Sequence, residues 1–177
     1  MSFKGTTIIA VQKDGTLAFA GDGQVTFGDQ VIKAKAKKIR HFANFKIIGG
    51  FAGHTADAFT LFERFESKLE ASSGNLTKAA VELAKDWRMD KALRRLEAML
   101  LVGNTEKMLM ISGQGDVMEP DSQVMAIGSG ASVAIAAAKA MLRHTNLNAE
   151  EIANEAMKIA AEQCIYTNDQ ITVETLP

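Results

Sequence analysis

The chain reads as a single α+β domain built as a four-layer αββα sandwich. Three observations point there. The elements run in the order strands, two helices, strands, two helices and a closing strand. The strands cluster around tight Gly, Asn and Asp turns, which favours antiparallel pairing, and each helix pair carries an apolar face that must cover a sheet. With 177 residues the chain has room for one domain with a substantial core.

Thr6 to Val11 reads as a buried strand, and Lys13-Asp14-Gly15-Thr16 as a hairpin turn into a second strand from Leu17 to Gly21. Lys46 to Phe51 is a third apolar strand. A helix follows in which Ala58, Phe62, Phe65 and Leu69 share a face, with Thr55 or Asp57 expected as its cap. Gly74-Asn75 breaks it, and Asn75 is placed to cap a second helix carrying Ala80, Leu83, Ala84 and Trp87 on one side. Strands return at Ala98 to Val102, Met108 to Ser112 and Val124 to Ile127. Two more helices are expected from about Ser132 to His144 and from Ala149 to Gln163, the latter capped by Asn148. Gln170 to Leu176 closes the chain as a strand.

Composition narrows the function. A net charge of −1 argues against a chain built for nucleic acid or an anionic membrane. The basic group Lys33, Lys35, Lys37, Lys38 and Arg40 reads mainly as a solvated edge or face. Cys164 is the single cysteine, so no internal disulfide framework exists and a reducing compartment is expected. The segment before Gln12 lacks the apolar stretch and cleavage box of a secretory signal. The apolar run from Ala126 to Leu142 is broken by Gly128, Ser129, Gly130, Ser132 and Lys139, so it is not a membrane span. A cytoplasmic, soluble protein is expected.

Thr6 is the residue with the most chemical potential. In an intact chain it is a β-branched strand starter. If the chain is cut at Gly5-Thr6, its own α-amine becomes a base for its hydroxyl. That amine titrates near roughly 7.7–8.0, and a neighbouring ammonium lowers the value. Lys38 could supply the ammonium and stabilise charge on the Thr6 oxygen. Asp22, in Gly21-Asp22-Gly23-Gln24, is either an ordinary turn or a carboxylate that holds Lys38 and the new N-terminus. Gly50 and Gly53 relieve crowding at the end of a strand, or offer a backbone N–H to an oxyanion. Gly128-Ser129-Gly130 is a helix entry. Its functional readings are a phosphate loop, which lacks the P-loop Lys-Ser/Thr, or a Ser129 hydroxyl bonded to the Thr6 amine. His41, His54 and His144 are scattered, without metal-ligand spacing or a nucleophile partner.

Taken together, several segments carry a resemblance that none carries alone. Thr6-Thr7-Ile8, Ala20 to Gln24, Lys37-Lys38, Gly50-Phe51-Ala52-Gly53, Ala56 to Phe62, Ala79 to Trp87, Ala126 to Gly130 and Cys164 to Asn168 occur in order. Over nearly its whole length from Thr6, the chain resembles the HslV (ClpQ) family of proteasome-like threonine peptidases. The resemblance implies an N-terminal nucleophile hydrolase fold, with residues 1–5 as a propeptide and 6–177 as the peptidase domain. It implies Thr6 as nucleophile with its freed amine as base, Asp22, Lys38 and Ser129 tuning that amine, and the Gly50 N–H serving the oxyanion. The substrate would be unfolded polypeptide. The subunits would stack as two hexameric rings beside a ring ATPase of the HslU type, which consumes the ATP and activates the peptidase allosterically. A sodium-type cation would be held by main-chain oxygens of Ala161, Cys164 and Thr167.

The chain departs from the family pattern in three places. Ala161 stands where a glycine is usual, and Ala131-Ser132-Val133 replace a second glycine and a following tyrosine. Met1-Ser2-Phe3-Lys4-Gly5 precede Thr6. Removal of Met1 alone would expose Ser2, an alternative N-terminal nucleophile. Only Thr6 keeps the family spacing to Asp22 and Lys38. A catalytically silent ring subunit is the other alternative.

Overall fold

The computed structural model describes residues 3–96 and 98–177, side chains included except at 3, 4, 55 and 56. Strands β2 (Thr7–Lys13) and β3 (Thr16–Gly21) form the first hairpin. Asp14 and Gly15 both take positive φ, +51° and +78°, the backbone that a two-residue type I′ turn requires. With β11 (Val124–Gly128) and β12 (Thr172–Leu176) they make a four-stranded sheet in the order β11-β2-β3-β12.

The second sheet has five strands. Its order is β10 (Val117–Met118), β9 (Met108–Ser112), β8 (Ala98–Gly103), β7 (Ile47–Gly53) and β6 (Ile39–Phe42). The described pairings in both sheets are antiparallel.

Period-two alternation explains why the central strands are apolar throughout, because both of their faces are covered. In β2, Ile8 and Ala10 point between the sheets while Ile9 and Val11 point to the helices; in β3, Leu17 and Phe19 divide from Ala18 and Ala20 in the same way. In β7, Ile48 and Ala52 face the first sheet and Ile47 and Phe51 face away.

Helices α1 (Thr55–Ala71) and α2 (Leu76–Met89) cover the five-stranded sheet. Their interface is aromatic. Phe42 meets Phe62 and Phe65 edge-on at 6.0 and 5.2 Å between ring centres. Helices α3 (Ala131–His144) and α4 (Ala149–Gln163) cover the other sheet through alanines, among them Ala134, Ala138, Ala153 and Ala156. The αββα layer order is the one expected from the sequence.

Asn75 and Asn148 cap α2 and α4 as expected. Asn148 forms a full capping box with Glu151. The cap of α1 differs: His54 occupies that position without a side-chain cap bond, and Thr55 and Asp57 lie inside the first turn, where Asp57 complements the helix dipole. A small third sheet, β1 (Phe3–Lys4), β4 (Val25–Phe27) and β5 (Gln30–Lys33), was not expected from the sequence; its strands are short and β5 is exposed along its length. The basic group splits. Lys33, Lys35 and Lys37 are exposed and Arg40 is half-buried, whereas Lys38 is buried. No helix among the described residues is long and apolar enough to cross a membrane.

The packing makes a direct prediction. Phe65→Ala empties a fully buried site and should destabilise the chain by about 3–5 kcal/mol in denaturant unfolding. Phe59→Ala on the same helix, where the ring is 68% exposed, should stay within about 0.5 kcal/mol. Equal losses would contradict this assignment of faces.

Candidate active site

The ends of β2, β3 and β11 and the loop after α4 converge around the Thr6-Thr7 pair. Thr6 is the buried junction between β1 and β2. Its φ is +141° and that of Gly5 is +123°. For a β-branched residue this is a strained backbone, held only where the surroundings over-determine it. Gly5 tolerates its own conformation because it lacks a Cβ; one placed there would lie 2.9 Å from the Gln24 carbonyl oxygen. The Ser129 N–H donates to the Thr6 carbonyl at 3.1 Å.

Thr7 is tied down at every polar atom. Its N–H donates to Asp22 Oδ1 at 2.8 Å and its carbonyl accepts from the Asp22 N–H at 3.3 Å. Its hydroxyl oxygen accepts from the Gly130 N–H and shares a hydrogen bond with the Thr167 hydroxyl, both at 2.8 Å. Thr6, itself nearly buried, lies along one wall of a cleft of about 980 Å³.

Asp22 is the hub. Besides Thr7, its buried carboxylate accepts from the N–H groups of Gln24 at 3.0 Å and Asn168 at 3.3 Å, and from Lys38 Nζ at 3.3 Å. Lys38 Nζ also donates to the Gln24 carbonyl at 2.5 Å. Burial pulls the Lys38 ammonium below the usual lysine range, and the charge and hydrogen bond of Asp22 oppose that pull. The Thr7 amide and the Lys38 ammonium therefore share one carboxylate oxygen.

Of the remaining sequence candidates, Ser129 is exposed at the cleft and its hydroxyl bonds the Cys164 thiol. Burial pushes that thiol up, but hydrogen bonds from Thr167, Ser129 and the Tyr166 backbone outweigh it and leave the pKa lowered. Gly50 lies mid-strand in β7, paired with Ile39 and Leu101; Ala52 and Gly53 of the same strand reach the cleft wall. Ala161 is in the last turn of α4, Cys164 is its cap residue, and the Cys164 carbonyl accepts from the Thr167 N–H at 3.1 Å. Ser2 lies outside the described residues.

Two amides of the Gly128-Ser129-Gly130 loop are spent on Thr6 and Thr7, which removes the donors a phosphate would need. No group of three or more His, Cys, Asp or Glu side chains placed to hold a metal ion occurs among the described residues.

Sequence reasoning missed the supporting roles of Thr7, Gln24 and Asn168. Asn168 Oδ1 accepts from the Gly23 N–H at 3.1 Å and its Nδ2 donates to the Ala34 carbonyl at 2.9 Å, joining three loops. The only signal was their presence inside the matching segments.

The chain has counterparts among known proteins. The family model described as "Proteasome subunit" matches residues 2–176. The chain belongs to the proteasome subunit family. Within that family it is 58% identical over 176 residues to the ATP-dependent protease subunit HslV of Petrotoga mobilis, covering 99% of each chain. It is 59% identical over 172 residues to the protein of that name from Syntrophobacter fumaroxidans, covering 97% of this chain and 96% of the relative. The crystal structure of eukaryotic HslV from Trypanosoma brucei superposes with a TM-score of 0.92 at 46% identity, over 96% of this chain and 98% of that one. Thiobacillus denitrificans BPH, 20% identical with a TM-score of 0.74 over 96% of this chain and 97% of its own, shares the fold.

The Lys38 environment predicts a pH effect. Folded Lys38 releases its proton at a lower pH than it does in the unfolded chain. Between those two values the unfolded chain holds the extra proton, so this residue's contribution to stability rises with pH across that alkaline window and is flat below it. Lys38→Met should therefore flatten the alkaline limb of unfolding free energy against pH. An unchanged limb would show that Lys38 titrates as an ordinary lysine.

Proposed function

We propose that Thr6 is the nucleophile of a threonine endopeptidase that matures by cutting its own chain at Gly5-Thr6. The observation that carries this reading is the Gly5-Thr6 peptide itself: it sits in a strained backbone at the wall of an open cleft, next to the Asp22–Lys38 pair. In the precursor the Thr6 hydroxyl attacks the Gly5 carbonyl, and the acyl group passes from nitrogen to oxygen. That shift breaks the Gly5–Thr6 C–N bond and frees the α-amine; water then cleaves the ester, releasing residues 1–5 and restoring the Thr6 hydroxyl.

In the mature enzyme that amine, acting through a water, takes the hydroxyl proton as Thr6 Oγ1 adds to a substrate carbonyl. The Gly50 N–H receives the oxyanion. Collapse returns the proton to the departing amine and leaves an acyl-ester on Thr6, which water hydrolyses. Lys38 keeps the amine's pKa low and Asp22 holds Lys38 in place; Ser129 hydrogen-bonds the amine.

The chain is the proteolytic subunit of an ATP-dependent protease. It works on unfolded polypeptide in the cytoplasm, assembled as a double hexameric ring beside an HslU-type ring ATPase. ATP is used by that partner. A sodium-type cation fits the end of α4 in kind. Helix-terminal carbonyls lack intrahelical donors and carry the negative end of the dipole, and the Cys164 oxygen, though bonded to Thr167, keeps a second lone pair. Main-chain oxygens of Ala161, Cys164 and Thr167 would hold the ion. It would brace the loop that brings Asn168 to Asp22.

Intact mass and N-terminal sequencing of the purified protein should show a chain beginning at Thr6, and Thr6→Ala should keep residues 1–5 and abolish peptide hydrolysis. Hydrolysis retained by that variant would transfer the role elsewhere, first to Ser2. A wild-type chain that assembles into rings yet never turns over would make it a silent subunit.

A further inference from the structure

The cleft beside Thr6 has a chemical character that the self-cleavage reaction does not use. Strand register puts Ala52, Met99, Met110, Ser112 and Met118 on one face of the five-stranded sheet, the face turned toward β2. Deeper along that face, Leu101, Met108 and Met110 are sealed against Ile8, Phe19 and Ile127. Toward Thr6 the two sheets part, and the same face continues into the open cleft. Met99 and Met118 lie there 41% and 43% exposed, beside the edge of Met110. An apolar wall, continuous with the core, is thus left uncovered in front of the nucleophile.

The N-terminal strand indicates which part of a substrate meets this wall. Residues Phe3 and Lys4, on the acyl side of the Gly5-Thr6 bond, pair with Phe27 and Thr26 of β4. No residue of β4 or β5 lines the cleft. A polypeptide bound across Thr6 with its acyl side along β4 has its leaving-group side directed into the cleft. Arg94 and Asp116, also at the cleft, carry opposite charges, so neither sign is favoured overall and the apolar surface is the discriminating one. Methionine is unbranched and polarisable; it adapts to aliphatic side chains of different shape and contacts aromatic rings favourably.

We propose that Met99, Met110 and Met118 form a specificity site for the residues that follow the scissile bond, selecting large apolar side chains there. The proposal rests on Thr6 as the nucleophile and adds a substrate preference to it.

The test uses the assembled, processed enzyme. Internally quenched peptides differ only in the residue after the scissile bond (Leu, Phe, Lys or Asp). A second set of peptidyl-aminocoumarins varies only the acyl side. The wild type should favour Leu and Phe over Asp in kcat/KM by about tenfold or more. Met99→Glu and Met118→Glu, at partly exposed positions that tolerate the change in folding, should collapse that ratio and raise the relative use of Lys, while Met118→Leu retains the wild-type ratio. The rank order among the aminocoumarins should stay the same in all variants. A Leu-to-Asp ratio unchanged by the Glu variants, or a shift in acyl-side rank order instead, would overturn the assignment. Wild-type turnover that survives Thr6→Ala would overturn the reading of Thr6 beneath it, which separates the two failures.

Discussion

The buried Asp22 carboxylate is the constraint on which the rest of the site depends. A charge taken out of water must be compensated nearly in full, because its desolvation amounts to several kcal/mol even after relaxation. Asp22 meets this requirement with three backbone N–H groups and one ammonium, drawn from β2, its own turn, the Lys38 segment and the loop after α4. Each donor belongs to a different part of the chain, so satisfying the carboxylate brings those parts together. The pair is not a stability device in itself. Removing one partner would strand the other charge at a cost of about 3–5 kcal/mol, while an apolar replacement of both could be neutral. What it supplies is position: Lys38 and the Thr6-Thr7 peptide are set one carboxylate oxygen apart.

The sandwich supplies the second condition, an opening beside Thr6. Two sheets packed face to face bury their inner side chains along most of their length, as Ile8, Phe19, Leu101 and Met108 are buried here. At the end where β2 begins, Thr6 and the Ser129 turn replace bulky strand residues, and Ala52 and Ser112 present small ones from the opposite sheet. Too little side-chain volume remains to fill the gap. The same layers that make the core therefore make the cleft, and its walls inherit the rigidity of two hydrogen-bonded ladders.

Much of this was legible in the sequence, and the remainder was not for physical reasons. The long helices and the doubly covered strands announce themselves through period and continuous apolar runs, and Asn75 and Asn148 mark two helix starts by their chemistry. His54 gives no such signal, because the start of α1 lacks a side-chain cap altogether. Strands β4 and β5 are short and largely exposed, so no alternation distinguishes them from loop. Lys38 sits among Lys33, Lys35 and Lys37 with nothing in the local pattern to mark it as the buried one. Only the position of Asp22 in three dimensions separates it from them. Asn168 was hidden for a related reason: it acts on backbone groups far away in sequence, at Gly23 and Ala34.

Magnitudes decide how far backbone strain at Gly5-Thr6 can drive the proposed maturation. A non-glycine residue held at positive φ stores on the order of 1–3 kcal/mol. The φ of Thr6 is defined by the Gly5 carbonyl carbon, so that strain exists only while the bond is intact and is lost when it breaks. Spent entirely on the barrier, it would accelerate cleavage by about five- to 150-fold. Enzymic accelerations begin at about a million-fold, so strain is a minor contributor. The larger part must come from charge: a hydroxyl proton accepted by a base in reach and an oxyanion met by fixed donors. Before the cut there is no free amine at Thr6. The acyl shift of the proposed self-cleavage must then find its base among Lys38, Asp22 and water, and the amine proposed as the later base is itself a product of that step.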